Sequence, residues 1–209
     1  MAMIALRVPN DTARMLEKLA GSVNGDSQTA SEMHVTLIYL GDDVSIETLS
    51  KVMLACNSVT SRTTPFSLSV DKIDSFEPGK NGTPVILPIV SNELHALHEA
   101  ISEALDAAGI EYSKKWPEFK PHVTLSYVNG MKGSGFFPSP ITWGAFELSI
   151  YGDNHGDGGV SITMPFELPS IELKMQTIAA RMQTIAARIA AAPLAGFEPA
   201  AASFRPHGI

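Results

Sequence analysis

His34 and Thr36 lie in the run MHVTLIYLG (Met33–Gly41), and His122 and Thr124 lie in PHVTLSYVNG (Pro121–Gly130). Both runs have the apolar, β-branched composition of a strand. Side chains two apart on a strand share a face, so each histidine projects beside its threonine. Val35, Leu37, Val123 and Leu125 point the opposite way and are expected in the core. A single His-x-Thr carries little information. Two copies with matching flanks, each followed by a tyrosine (Tyr39, Tyr127), read as one element used twice and one site with two halves.

Two imidazoles and two hydroxyls around one point suit the cleavage of a phosphodiester. Such a reaction needs a proton removed from the attacking oxygen and another given to the leaving oxygen. Imidazole titrates near neutrality, so one ring can be the base while the other, protonated, is the acid. Threonine hydroxyls donate to the non-bridging oxygens without adding a charge. The scheme calls for no metal or cofactor, and no third ligand stands at a zinc spacing. Trp116 and Tyr151 are candidate stacking partners for a base, a contact worth roughly 1–3 kcal/mol. Lys120, two residues before His122, is a candidate to attract phosphate. His95 and His98 are expected on a helix surface rather than as a metal pair. Asp153–Gly158, DNHGDG, is expected to be a glycine-rich hairpin turn and not a calcium loop, because the closing carboxylate position falls on Met164.

The elements that position these residues follow from periodicity and punctuation. MIALRV reads as a first strand. NDTARMLEKLAG reads as a helix capped by Asn10 or Asp11, with Met15, Leu16 and Leu19 as its apolar stripe and Gly21 as its stop. SIETLSKVMLACNSV is helical, with Ser45 as cap. FSLSVDKIDSF and TPVILPIV form a hairpin around EPGKNG. NELHALHEAISEALDAAG is a helix capped by Asn92 and stopped by Gly109. AFELSIYG and VSITMPFEL form a second hairpin. Each half reads helix, motif strand, hairpin, and the histidines are 88 residues apart, about one lobe. To about Leu168 the chain therefore reads as two similar lobes, α+β with mostly antiparallel sheets.

After Pro169 the text changes. MQTIAAR occurs twice in tandem, at Met175–Arg181 and Met182–Arg188. Ile171, Met175, Ile178, Met182, Ile185 and Ile189 fall on a seam of alternating spacing four and three, as in a coiled coil. Residues 169–192 are expected to be an amphipathic helix, and two readings stand: self-association through residues 171–189, or packing on the chain's own domain. Residues 193–209 read as a Pro/Ala-rich tail or linker. The domain expectation is therefore 1–168, 169–192 and 193–209.

With 209 residues, 44% hydrophobic and 18% charged, the chain is expected to fold around a core. A net charge of −7 argues against coating duplex DNA, which selects a basic face, and leaves small or end-engaged nucleic acid as a ligand. No run reaches the ~20 apolar residues of a membrane span, and the opening MAMIALRVPND is too short in its apolar stretch for a signal peptide. The single cysteine, Cys56, is expected as a buried hydrophobe in a reducing, cytoplasmic setting.

HVTLIYLG and PHVTLSYV resemble the paired signatures of the 2H phosphoesterase superfamily, the group of the bacterial RNA 2′,3′-cyclic phosphodiesterases once called 2′-5′ RNA ligases. The flanks agree: an opening strand ending in a proline turn, a long helix before the second motif, and FKPHVTL itself. The resemblance covers about Met3 to Leu168. It implies a bilobal α+β fold with pseudo-twofold symmetry about a central cleft, here followed by a C-terminal helix outside the family pattern. It implies His34, Thr36, His122 and Thr124 as catalytic residues. It also implies a phosphodiester substrate from the set of 2′,3′-cyclic ends, 2′-5′ linkages, ADP-ribose cyclic phosphate and signalling cyclic oligonucleotides. Phage-type enzymes that degrade such signals, and a non-catalytic nucleotide-binding sponge, are the alternatives.

Overall fold

The structure, a computed structural model, describes residues 1–23, 25–116, 118–130, 135–152 and 161–167. The turn expected at 153–158, the heptad seam expected at 171–189 and the tail expected at 193–209 lie outside the described residues. The elements run β1 (Ala2–Arg7), α1 (Asn10–Gly21), β2 (Asp26–Ser27), β3 (His34–Gly41), α2 (Ile46–Thr60), β4 (Phe66–Ser75), β5 (Thr83–Pro88), α3 (Asn92–Ala107), β6 (His122–Val128), β7 (Gly135–Ala145), β8 (Glu147–Tyr151) and β9 (Ser161–Pro165). They form two sheets, ordered β3-β1-β8-β9 and β2-β6-β5-β4-β7, in which every pairing is antiparallel. The α+β expectation holds.

The lobes are not consecutive halves of the chain. The hairpin β4–β5, which follows the first motif, sits in the sheet of the second motif. The hairpin β8–β9, which follows the second motif, sits in the sheet of the first. Position by position, β3, β1, β8 and β9 correspond to β6, β5, β4 and β7, and the motif strands β3 and β6 adjoin. The helices reinforce the exchange: α1 contacts β6, α3 contacts β3, and α2 packs on α3. One buried cluster draws residues from both sheets and all three helices, including Leu6, Leu16, Val35, Cys56, Leu87, Ile101, Leu125 and Ile150. Phe146 alone separates β7 of one sheet from β8 of the other, and its carbonyl accepts from the Phe166 amide at 2.8 Å.

Three local expectations are corrected. Helix α1 has Pro9 at its N-cap with no side-chain cap, and Asn10 and Asp11 lie inside its first turn. Its buried face is Ala13, Leu16 and Ala20, which leaves Met15 47% exposed. Ser91, not Asn92, caps α3: its extended backbone lets the hydroxyl accept from the Leu94 amide at 3.1 Å. Other signals held. Ser45 caps α2 through the Thr48 amide, and Gly109, at φ +66°, ends α3 in the left-handed conformation. Strand β7 was not expected, since GFFPSPITWGA carries two prolines; as an edge strand it tolerates their missing donors. Among the described residues no helix is long and apolar enough to cross a membrane.

Candidate functional site

The two motif strands have the same burial sequence. From each histidine to the seventh residue, positions one, three and six are half-buried and the other four are buried. Strict alternation would not give this pattern. In both strands the pairing register slips at the motif leucine: Ile4 pairs Ile38 but Ala5 pairs Thr36, and Val85 pairs Ser126 but Ile86 pairs Thr124. Leu37 and Leu125 are thus the extra residues of matching β-bulges, which re-aim the rest of each strand. Tyr39 and Tyr127 consequently share the face of the histidine and threonine, although each lies three positions after its threonine. Two-residue alternation would have put Ile38 and Ser126 on that face, so the tyrosines' role was not legible in the motif alone.

Each histidine is oriented by the backbone two residues before it. His34 Nδ1–H donates to the Glu32 carbonyl at 2.5 Å, and His122 Nδ1–H donates to the Lys120 carbonyl at 2.7 Å. A carbonyl can only accept, so Nδ1 keeps its hydrogen and Nε2 is the nitrogen that gains or loses a proton. The anchors are themselves held. Glu32 accepts from the Thr29 amide and hydroxyl at 2.8 and 2.7 Å, bonds that hold its carboxyl below the usual range. On the other side Phe119, next to Lys120, is stacked on His98 at 4.1 Å and meets His95 edge-on at 5.2 Å. His95 and His98 therefore grip an aromatic ring; burial first, then the charge of His95, lowers the His98 pKa. Among the described residues no cluster of three or more metal-ligating side chains occurs.

An aromatic ring lies against each motif histidine from the third strand of its sheet. Tyr151 on β8 is 6.2 Å from the His34 ring, tilted by 48°. Phe76, at the end of β4, is 4.7 Å from the His122 ring, edge-on. The two are equivalent positions: Tyr151 pairs Met3, which pairs Tyr39, and the Phe76 amide bonds Pro84, which pairs Tyr127. Tyr151 was anticipated from the sequence and Phe76 was not, because the symmetry linking them appears only once the hairpins are exchanged. Burial lowers the His122 pKa, against the raising effect of its bond to Lys120.

The remaining candidates separate. On the face of β3, Met3, Ala5 and Tyr151 form a small cluster joined by Tyr39, and the Thr36 hydroxyl meets the Met3 sulfur at 3.7 Å. Trp116, 64% exposed, stands edge-on to Tyr39 at 6.5 Å and thus beside that face. Lys120 contributes its carbonyl, while its ammonium pairs with Glu118 at 3.0 Å. Gly25 lies where any Cβ would collide with the Tyr127 carbonyl, which lets β2 approach β6 at the end of the second motif. A separate apolar groove between α2 and β9, lined by Met53, Leu54 and Met164, is remote from the motifs in the fold.

The arrangement has counterparts among solved structures. The Thermus thermophilus protein TT0787 superposes with a TM-score of 0.63 at 16% identity, covering 78% of this chain and 94% of its own. A protein described as a phosphoesterase gives 0.59 at 18%, covering 79% and 95%. The apo form of E. coli LigT gives 0.55 at 18%, covering 79% and 94%. At these identities the likeness shows the fold. LigT has also been solved with 3′-AMP, NADP+, ATP and phosphate. No curated relative matches the chain. The sequence profile of the 2′-5′ RNA ligase superfamily matches residues 8–134, a stretch that contains both motifs, α1 to α3 and the exchanged hairpin β4–β5. By that match, more than half its length, the chain belongs to the 2′-5′ RNA ligase superfamily.

Proposed function

We propose that this protein is a metal-independent phosphodiesterase of the 2H phosphoesterase type, acting on a small nucleotide or an RNA end that carries a 2′,3′-cyclic, 2′-5′ or cyclic-oligonucleotide linkage. The observation that carries this reading is the matched orientation of His34 and His122. Both rings are pinned through Nδ1 to the carbonyl two residues before, on adjoining strands, with Nε2 as the titrating atom. Family membership supports phosphodiester chemistry, and the nucleotides bound by LigT support a small nucleotide as substrate.

Burial, which lowers the His122 pKa, favours His122 as the base that takes the proton from the attacking water or hydroxyl, and His34 is then the group that gives a proton to the leaving oxygen. Thr36 and Thr124 donate to the non-bridging oxygens, where charge builds up. Trp116, Tyr151 and Phe76 are aromatic surfaces for a base at the two ends of the cleft, and the backbone of Lys120 holds His122.

The test is a substrate panel followed by mass spectrometry in EDTA, containing 2′,3′-cyclic nucleotides, cyclic-phosphate-ended RNA, 2′-5′ oligoadenylate and cyclic di- and trinucleotides. Wild type is expected to cleave one class. His34→Ala and His122→Ala are expected to lose roughly 10²–10⁴-fold in kcat while keeping the native circular dichroism spectrum. Tight binding without turnover would identify a sponge instead, and a strict metal requirement would contradict the chemistry.

A further inference from the structure

The two motif-bearing sheets correspond row by row in register, and the rows of the two histidines differ in the residue set beside each ring. On the first sheet the rows run Tyr39–Met3–Tyr151, Thr36–Ala5–Ser149 and His34–Arg7. On the second they run Tyr127–Pro84, Thr124–Ile86–Asp74 and His122–Pro88. Arg7 and Pro88 are therefore equivalent positions with unlike chemistry. Cross-strand partners on an antiparallel pair point to the same face, with Cβ atoms about 4.5–5.5 Å apart. The burial of β1 agrees: Met3 and Ala5 belong to the small cluster under the site, Ile4 and Leu6 to the main core, and Arg7 continues the first row as an exposed residue.

Arg7 is also uncommitted. It forms no ion pair among the described residues, whereas Lys120 is held by Glu118 and Lys72, on the second sheet, pairs with Asp74 at 3.6 Å. Glu147, next in the row of Tyr151 and Ser149 on β8, is the carboxylate nearest in register, and it is not within ion-pair distance of Arg7. Guanidinium is a fork of donors suited to a phosphate, and on the rim beside His34 it lies to one side of a reaction centre shared by both histidines. Resting on the phosphodiesterase reading, we infer that Arg7 is a specificity-determining residue. It binds a second phosphate of the substrate, flanking the scissile one on the His34 side, and thereby selects substrates with two phosphates and fixes their direction across the two motif strands.

The test compares 2′,3′-cyclic AMP with the same nucleotide bearing a 5′-phosphate, using full-length wild type, Arg7→Ala and Arg7→Lys. Wild type is expected to prefer the doubly phosphorylated substrate in kcat/KM by roughly 10- to 100-fold, the scale of a charge-assisted hydrogen bond. In Arg7→Ala that ratio falls to about one, and Arg7→Lys restores part of it. The preference weakens as salt rises. An equal loss on both substrates would place Arg7 on the scissile phosphate and overturn the inference, as would an unchanged ratio. If wild type hydrolyses neither, the 2′,3′-cyclic class is excluded as substrate, an outcome separate from the role of Arg7. The dissociation constants of both nucleotides for His122→Ala, with and without Arg7→Ala, then decide the role of Arg7: a preference lost with Arg7→Ala supports it, and equal effects overturn it.

Discussion

On the proposed reading, His34 and His122 make one proton-transfer pair only if their ring nitrogens are assigned, and the carbonyls of Glu32 and Lys120 do the assigning. The depressed pKa of His122 has a kinetic signature. If His122 is the base, kcat/KM rises as pH rises through a value below 6.5, the ordinary histidine figure. Phe76→Ala opens that ring to water, so the acidic limb is expected to move up toward the ordinary value; a limb that stays in place would remove Phe76 from the mechanism. Thr124→Val keeps the shape but removes the donor, and is expected to cost roughly 10²-fold in kcat with little change in KM. Cys56 gives the opposite kind of prediction. Burial pushes its thiol up to about 12, so it should resist iodoacetamide in the native protein and react once guanidinium unfolds the chain.

The elements were legible where a single residue type sets the local geometry. Ser45 and Gly109 announce their helix ends because a hydroxyl acceptor and a residue at positive φ are what those ends need. Reading failed by one position at Ser91, since Ser91 and Asn92 both carry capping side chains and only the backbone shows which is extended. Ser91→Ala is accordingly expected to cost about 1 kcal/mol by thermal unfolding, and Asn92→Ala much less. The motif faces were legible through Thr36 and Thr124 and ceased to be legible at the leucines, because a bulge is a property of a strand pair and not of one strand. The proline-bearing β7 was hidden for the same reason: its edge position excuses the missing donors.

For the whole molecule, the sequence shows that something is repeated but not how the repeats combine. Hairpins are local in sequence, and which sheet they join is decided by long-range packing. The exchange predicts that residues 1–90 and 91–168, expressed separately, each lack a complete native sheet, because the cut parts each hairpin from the sheet it joins. They should show no dispersed amide spectrum alone, and regain it only if mixed. Acid stability follows from the same packing. His98 and His122 both have depressed pKa values in the fold, so the folded state takes up protons less readily than the unfolded chain. Their contribution is present above about pH 6.5 and is lost as pH falls through their folded values. The Glu32 contribution is lost separately, below 4.5, its ordinary value. Midpoints of thermal unfolding measured between pH 7 and about 2 should show both steps, with the first reduced in His98→Gln.

The passage from β7 to β8 through Phe146 has a mechanical corollary. A clam opens because its shells meet at a hinge, and this protein gives its shells a shared rib instead. Strand runs into strand across the divide, and each shell is braced by the other's helix. On the proposed reading, substrate meets two shells already joined by continuous chain, and discrimination falls to the teeth along their rim.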